Sequence, residues 1–242
     1  MTTFPVGTSV SMLPVVPVLA ALLASCGAPA ARGGEPSPPP PAAQPAEPAA
    51  ASVERAEFVL RQGDSALVTE RFTRTADSVS GELGGSGGPR VTYRAAVARD
   101  ETIPAITLRL FAPGDTAAGA RPTQSVAGTM QGDSAVIRVT EADSVRTVRH
   151  QVPAGTVFSL NASTVLLEQM VRRARMAGGD TARVSILPLN RGGQVVTAVV
   201  HFVRPDSAHL SVGGAEVHLR VDDRGRILGG RVPAQGLVIE RK

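Results

Sequence analysis

The strongest pattern of hydrophobic and polar positions lies near the C-terminal end of the chain. From 215 to 221, every second residue is apolar and the residues between are polar or charged. This period of two predicts a strand with one buried face and one face in water. Turn-forming residues at 213–214 and 222–225 bound it, as in an antiparallel meander. The same reasoning predicts strands in this half near 183–189, 194–203, 207–213, 215–221 and 226–232.

The first half of the domain carries weaker strand signals, which begin at a recurring Asp-Ser step. Asp and Ser favour turns because their side-chain oxygens accept hydrogen bonds from nearby backbone amides. The step occurs at 64–65, 77–78, 133–134, 143–144 and 206–207. This irregular spacing excludes a repeat architecture and indicates many short antiparallel strands. Strands are predicted near 56–61, 66–74, 78–83, 90–98, 104–111, 124–131, 135–140 and 145–152.

One segment, about 163–177, has the period of a helix. Its apolar residues recur three or four positions apart, at Leu167, Met170, Val171, Ala174 and Ala177. The opposite face is expected to carry an i,i+4 ion pair between Glu168 and Arg172, and Asn161 or Ser163 is the expected N-cap. A helix this short is marginal alone, so we expect its apolar stripe to pack on the sheet.

These elements define the expected fold class. It is a mainly β protein, with a large antiparallel sheet or open barrel and one amphipathic helix packed on it. Residues 54–242 are long enough to form one domain with a sizeable core.

The N-terminal segment carries an export and lipidation pattern. Leu23, Ala24 and Ser25 close an apolar run and precede Cys26, the only cysteine of the chain. The pattern resembles the lipobox of bacterial lipoproteins, so residues 1–25 are interpreted as a signal peptide and Cys26 as the lipid-modified residue. The resemblance implies a protein anchored by lipid to a membrane of the cell envelope, the outer membrane where the cell has one.

The segment has two alternative interpretations, a transmembrane helix and an ordinary signal peptide. A transmembrane helix needs about 20 apolar residues, whereas the apolar run from 12 to 24 is shorter and contains Pro14 and Pro17. Ordinary signal cleavage after Ala30 would release a soluble secreted or periplasmic protein.

Residues 26–53 form the expected link between anchor and domain. They are rich in Pro, Ala, Gly and Glu and have few apolar side chains larger than alanine. Such a segment cannot bury a core, so it is predicted to be a disordered, semi-rigid tether.

Composition narrows the function classes. The formal charge of +4 arises from 25 Lys and Arg against 21 Asp and Glu, with the two signs interspersed. Nucleic-acid binding calls for clustered cations and stacking aromatics, and this chain has no Trp and one Tyr. A single cysteine allows no internal disulfide and no cysteine-based zinc site. We therefore expect no nucleic-acid partner and no cofactor.

The order of strands, helix and strands behind a lipobox, with the turn at 221–230, resembles the open-barrel carriers of the lipoprotein-localisation type. It also resembles exported domains of unknown function with this architecture. Those carriers hold acyl chains in an apolar concavity, which the resemblance implies here. Leu167 and Met170, on the helix stripe, are the candidate ligand-binding residues. His201 shares a strand face with valines and is interpreted either as a residue that reaches solvent or as part of the cavity lining.

Other candidate chemistry is weaker. The string Gly84–Gly88 matches G-x-S-x-G, but a nucleophile elbow needs a helix after the serine, and Pro89 and a strand follow. A glycine-rich hairpin loop is therefore predicted. His209 and His218 are expected to approach each other across a turn, without a third ligand that would indicate a metal site.

The sequence is compatible with three functions. The preferred one is a non-catalytic envelope lipoprotein that binds or carries an apolar, acyl-chain ligand. The second is a structural or adaptor lipoprotein that binds an envelope protein through a sheet edge or face. The third is an envelope hydrolase, for which the sequence assembles no catalytic site.

Overall fold

The structure, a computed structural model, describes residues 52–117, 119–189 and 193–242. The regular elements among these residues are β1 (Glu54–Gln62), β2 (Ser65–Arg74), β3 (Ser78–Gly84), β4 (Arg90–Ala96), β5 (Ala105–Phe111), β6 (Gln124–Gln131), β7 (Ser134–Glu141), β8 (Ser144–Gln151), β9 (Val157–Ser159), α1 (Thr164–Ala177), β10 (Thr181–Pro188), β11 (Val196–Arg204), β12 (Ser207–Val212), β13 (Ala215–Val221), β14 (Ile227–Val232), a 3-10 turn (Pro233–Gln235) and β15 (Leu237–Arg241).

The strands of the described residues form one 15-stranded sheet, in the order β8-β7-β6-β5-β4-β3-β2-β1-β15-β14-β13-β12-β11-β10-β9. We call β1–β8 the N-terminal arm and β10–β15 the C-terminal arm. Each arm is a meander, and the pairing of β1 with β15 joins them. The edge strands, β8 and β9, do not pair with each other, so the sheet is open. The expected fold class, mainly β with one helix, is confirmed.

Strand β9 corrects the expectation of a purely antiparallel sheet. It pairs in parallel with β10, where Val157 lies opposite Ile186, and α1 is the crossover between the two strands. Neither β9 nor β15 was predicted from the sequence. β9 has three residues, too few to show a period, and β15 has five and directly follows a turn that contains Pro233.

Successive turns of a meander lie at opposite ends of the strands. We call the end that carries the β1–β2 turn the open end, and the other the helix end. The C-terminal half of α1 is held at the helix end. Arg172 forms a salt bridge with Glu101 of the β4–β5 turn, and Arg175 donates to the Pro205 carbonyl of the β11–β12 turn. Gly225, with φ +77°, fits beneath the helix, since a Cβ there would lie 3.1 Å from Arg172 Cα.

The helix bounds and caps follow from local chemistry. Of the two expected N-caps, Ser163 is the one observed, because its Oγ accepts the Leu166 amide at 3.1 Å. The Gly178 amide donates to the Arg175 carbonyl and ends the helix. The helix packs against β2, β9, β10 and β11, so the sheet curls around it. Met170, Val171 and Ala174 are buried as predicted, whereas Ala177 is exposed.

The predicted ion pair between Glu168 and Arg172 is wrong, because part of the expected polar face of α1 is buried and the two residues have other partners. The Glu168 side chain is fully buried and bonds to Arg74 and Arg241, and Arg172 bonds to Glu101. A single stripe was expected because a helix on a flat sheet buries one face. On a curled sheet, the flank that carries Glu168 is buried as well.

Candidate ligand-binding pocket

A pocket of about 360 Å³ lies between α1 and the C-terminal arm. Gly213, in the β12–β13 turn, and Gln235, in the 3-10 turn before β15, place it toward the open end. Its strand walls come from β1, from the end of β9 and from each strand of the C-terminal arm. Apart from Ser159 of β9, the side chains on these walls are small or medium-sized and apolar: Leu60, Ile186, Pro188, Val196, Val212, Ala215, Val217, Val232, Leu237 and Ile239.

The segment that leads into α1 forms the remaining wall. It contributes residues 159–164 and then the first turns of the helix. Ala162 in this segment has a positive φ of 67°, which is uncommon for a residue other than glycine. Polar groups come from this segment and from Gln235, and none of the lining residues is charged. The wall is therefore apolar with a few neutral hydrogen-bonding groups, as in many small-molecule sites.

The structure brings two of the three predicted ligand residues to this pocket. Leu167 and Met170 both line it, on the side of α1 that faces the C-terminal arm. Leu167 is half-buried and Met170 is 4% exposed. The hydrophobic period was enough to find them, because the helix stripe faces the concave side of the sheet.

His201 does not reach the pocket, which corrects its interpretation as a lining residue. On β11, the even-numbered residues Ala198, Val200 and Phe202 turn inward, and His201 is exposed on the outer face. Its Nδ1 lies 2.9 Å from the Thr181 hydroxyl of the neighbouring strand. The valines that share its face suggested a covered strand, but Val203 is 47% exposed, so that face is open to solvent.

A buried carboxylate lies behind the lining at the N-terminus of α1. Glu70 of β2 accepts hydrogen bonds from the Tyr93 hydroxyl at 2.9 Å, the Ser163 hydroxyl at 2.6 Å and the Val165 amide at 3.0 Å. Burial raises the pKa of Glu70, and these hydrogen bonds oppose that rise. Burial also raises the pKa of Tyr93 well above its usual range. Glu70 thus fixes the first turn of α1 to the N-terminal arm.

A second buried network fastens the middle of the helix. Glu168 accepts from Arg74 at 3.0 Å, from Arg241 at 2.9 Å and from the Ile227 amide at 2.8 Å. Arg74 also donates to Gln169 at 2.7 Å. Burial lowers the pKa of Arg74, and the Glu168 carboxylate opposes this. The helix wall of the pocket is therefore set by hydrogen bonds as well as by apolar packing.

Sequence reasoning missed Glu70, Arg74 and Glu168. A signal for the first two was present, because Val68, Glu70, Phe72 and Arg74 alternate with polar residues and so share the inward face of β2. No comparable signal marked Glu168, since its burial depends on how far the sheet curls around α1.

The remaining candidate groups are the glycine-rich string and the pair of histidines His209 and His218. The Gly84–Gly88 string begins at the last residue of β3 and continues into the β3–β4 turn, as predicted for a hairpin loop. The rings of His209 and His218 stack, with centroids 4.2 Å apart. Within residues 52–117, 119–189 and 193–242, no group of three or more His, Cys, Asp or Glu side chains is arranged to hold a metal ion.

The residues predicted to form a lipobox, Leu23, Ala24, Ser25 and Cys26, lie outside the described residues, as does the predicted tether up to residue 51. In the part of the chain that the structure covers, no helix combines the length and the apolarity needed to cross a membrane.

Comparison with known proteins identifies no relative of this chain. A scan against protein-family models, a search of curated proteins and a search of solved structures each gave no significant match to this chain. Its function is therefore argued from the pocket and from the sequence.

Proposed function

We propose that this chain is a non-catalytic lipoprotein of the cell envelope that binds an apolar ligand between α1 and the C-terminal arm. The observation that carries the proposal is the pocket itself, an apolar space of about 360 Å³ with Leu167 and Met170 on one wall. Its size falls within the range typical of small-molecule sites, about 300–1,000 Å³. An apolar space of this size suits a small ligand such as a medium-length acyl chain.

The lipobox supports the envelope location. A lipid-modified Cys26 would place the domain at a membrane surface, where apolar ligands are abundant. Cys26→Ser should abolish fatty-acid labelling in cells and move the protein from the membrane fraction to the soluble fraction. Labelling that persists in this variant would contradict the anchor, and a soluble wild-type protein would favour ordinary signal cleavage.

The ligand proposal is tested on the full chain carrying Cys26→Ser, purified without detergent. The protein is titrated with N-phenyl-1-naphthylamine, a neutral dye that fluoresces in apolar surroundings, and its organic extract is analysed by mass spectrometry. We expect saturable dye binding, and dye displacement by dodecanol. Absence of saturable binding, together with absence of lipid in the extract, would contradict the proposal.

A matched pair of substitutions on α1 locates the site. Leu167→Trp adds a bulky side chain to the pocket wall and should weaken dye binding at least about tenfold. Met176→Trp, on the same helix but at a position that is 56% exposed, should leave binding unchanged. Equal dye affinities for the two variants would place the dye elsewhere and contradict the pocket assignment.

The adaptor alternative is supported by one observation, the edge strand β8. It has eight residues, most of its side chains are exposed, and Val145 is 54% exposed. Free edge strands are templates for strand addition by a partner protein. A photo-crosslinking residue at Thr147 should then give a discrete adduct in cells, whereas one at Leu67, exposed on β2, should not. Absence of an adduct at Thr147, or equal adducts at both sites, would contradict the adaptor function.

A further inference from the structure

We propose that the pocket selects ligands with an uncharged polar end, and that Glu70 sets this preference by occupying the N-terminus of α1. The inference rests on the proposed function and specifies its ligand class as alcohols, esters or amides of apolar chains rather than free acids. Three observations carry it: the partners of Glu70, the charge of the lining and the polar groups that remain available.

The first observation concerns the helix N-terminus. The free amides and the dipole at this end of a helix ordinarily attract an anionic group. Here Ser163 and Thr164 line the pocket, and the hydrogen-bond donors beside them already bind the carboxylate of Glu70. Glu70 Oε2 accepts the Val165 amide and Oε1 accepts the Ser163 hydroxyl. An incoming carboxylate would therefore find this anion site filled.

The second observation concerns charge. No lining residue carries a positive charge, so an anion in the pocket would lose hydration without gaining a cationic partner. The Val165 amide and the Tyr93 and Ser163 hydroxyls all contact the Glu70 carboxylate, and these hydrogen bonds favour its ionised form against the effect of burial. The charge of the ionised form lies one hydrogen bond behind Ser163, where it repels a ligand carboxylate.

The third observation concerns the neutral polar groups. Asn161 and Gln235 both line the pocket and both are exposed. A side-chain amide offers donors and an acceptor without charge, and so suits a hydroxyl, ester or amide group. These two residues are the groups we assign to the polar end of the ligand.

The test compares ligands that share a chain and differ in the polar end. Dodecanol, methyl dodecanoate and sodium dodecanoate displace N-phenyl-1-naphthylamine from the full chain carrying Cys26→Ser, at pH 7.5 and below their aggregation concentrations. We expect both neutral ligands to bind at least about tenfold more tightly than dodecanoate. Equal binding of all three, or tighter binding of dodecanoate, would overturn the inference and leave the proposed function intact. Absence of displacement by any of them would overturn the proposed function and the inference with it.

The role of Glu70 is tested by the ratio of the dodecanol and dodecanoate affinities. Glu70→Gln keeps the shape of the side chain and removes its charge, so the preference for dodecanol should fall at least about threefold. Glu82→Gln removes a charge from the exposed side of β3, and the ratio should stay as in the wild type. If Glu70→Gln had a purely structural effect, the affinities for dodecanol and dodecanoate would fall by the same factor and their ratio would not change. An unchanged ratio in a folded variant would remove Glu70 as the specificity residue, and if the variant does not fold, the three-ligand series decides the inference.

Discussion

The two arms of the sheet turn side chains of different size toward the interior. The N-terminal arm contributes the buried rings of Phe58, Phe72 and Tyr93, of which the first two stack with centroids 5.6 Å apart. Residues 181–241, which include the C-terminal arm, contain one aromatic residue, Phe202, and are otherwise rich in Val, Ala and Leu. Both arms curl around the same helix, but they fill the space beneath it differently.

This difference explains where the pocket lies. Apart from Leu60 of β1 and Ser159 of β9, the strand walls of the pocket come from the C-terminal arm, where the side chains are too small to fill the interior. Protein interiors are otherwise packed to a density of about 0.74. An apolar space that stays open can accept a guest. Side-chain size, more than the opening between β8 and β9, therefore decides which arm lines the site.

The largest expected effect tests whether the buried charges hold α1 in place between the arms. Glu168→Ala leaves Arg74 and Arg241 without their shared carboxylate and should lower the free energy of unfolding by about 3–5 kcal/mol. This loss is measured by urea denaturation, with unfolding monitored by circular dichroism. Glu240→Ala, at an exposed salt bridge with Arg61, should cost no more than about 1 kcal/mol. A similar cost at both sites would show that α1 does not depend on this network.

The next prediction compares the cost in stability of a leucine-to-alanine substitution in each arm. Leu108→Ala, at a fully packed position of β5, should cost about 2–5 kcal/mol in urea denaturation. Leu237→Ala, on the pocket wall, should cost less than half as much because part of its surface already faces empty space. Equal losses would mean that the C-terminal arm is packed as tightly as the N-terminal arm.

Replacing an alanine by isoleucine should change stability in opposite directions in the two arms. Ala95→Ile on β4 overpacks a site with no exposed surface and should destabilise the protein by about 1–3 kcal/mol. Ala215→Ile extends into the pocket and should leave stability unchanged or raise it by up to about 1 kcal/mol, while it weakens dye binding. Thermal melts and dye titrations of both variants measure these effects. A clear loss of stability in Ala215→Ile would argue against a free volume at that position.

The smallest expected effect concerns the attachment of α1 at the helix end. Arg172→Ala removes a partly buried salt bridge to Glu101 and should cost about 0.5–1 kcal/mol. A double-mutant cycle with Glu101→Ala isolates the interaction. A coupling energy near zero would show that this contact does not hold the helix.

Much of the local structure could be predicted from the sequence. The alternation from 215 to 221 identified β13, and the helical period identified α1 and its residues Leu167 and Met170, because both patterns depend on neighbours within a few positions. The shortage of aromatic residues after residue 181 is likewise visible in the sequence.

Tertiary structure decided what depends on partners distant in sequence. The burial of Glu168 requires Arg74, 94 positions away, and the buried position of Glu70 requires Ser163, 93 positions away. Neither partner is visible in a window of neighbouring residues. His201 was ambiguous because an apolar outer face looks the same in sequence whether it is covered or open to water. The sequence by itself determined the helix and every strand except β9 and β15, through patterns among neighbouring residues. The curl of the sheet determined which faces of these elements meet, because that curl depends on contacts over the whole chain.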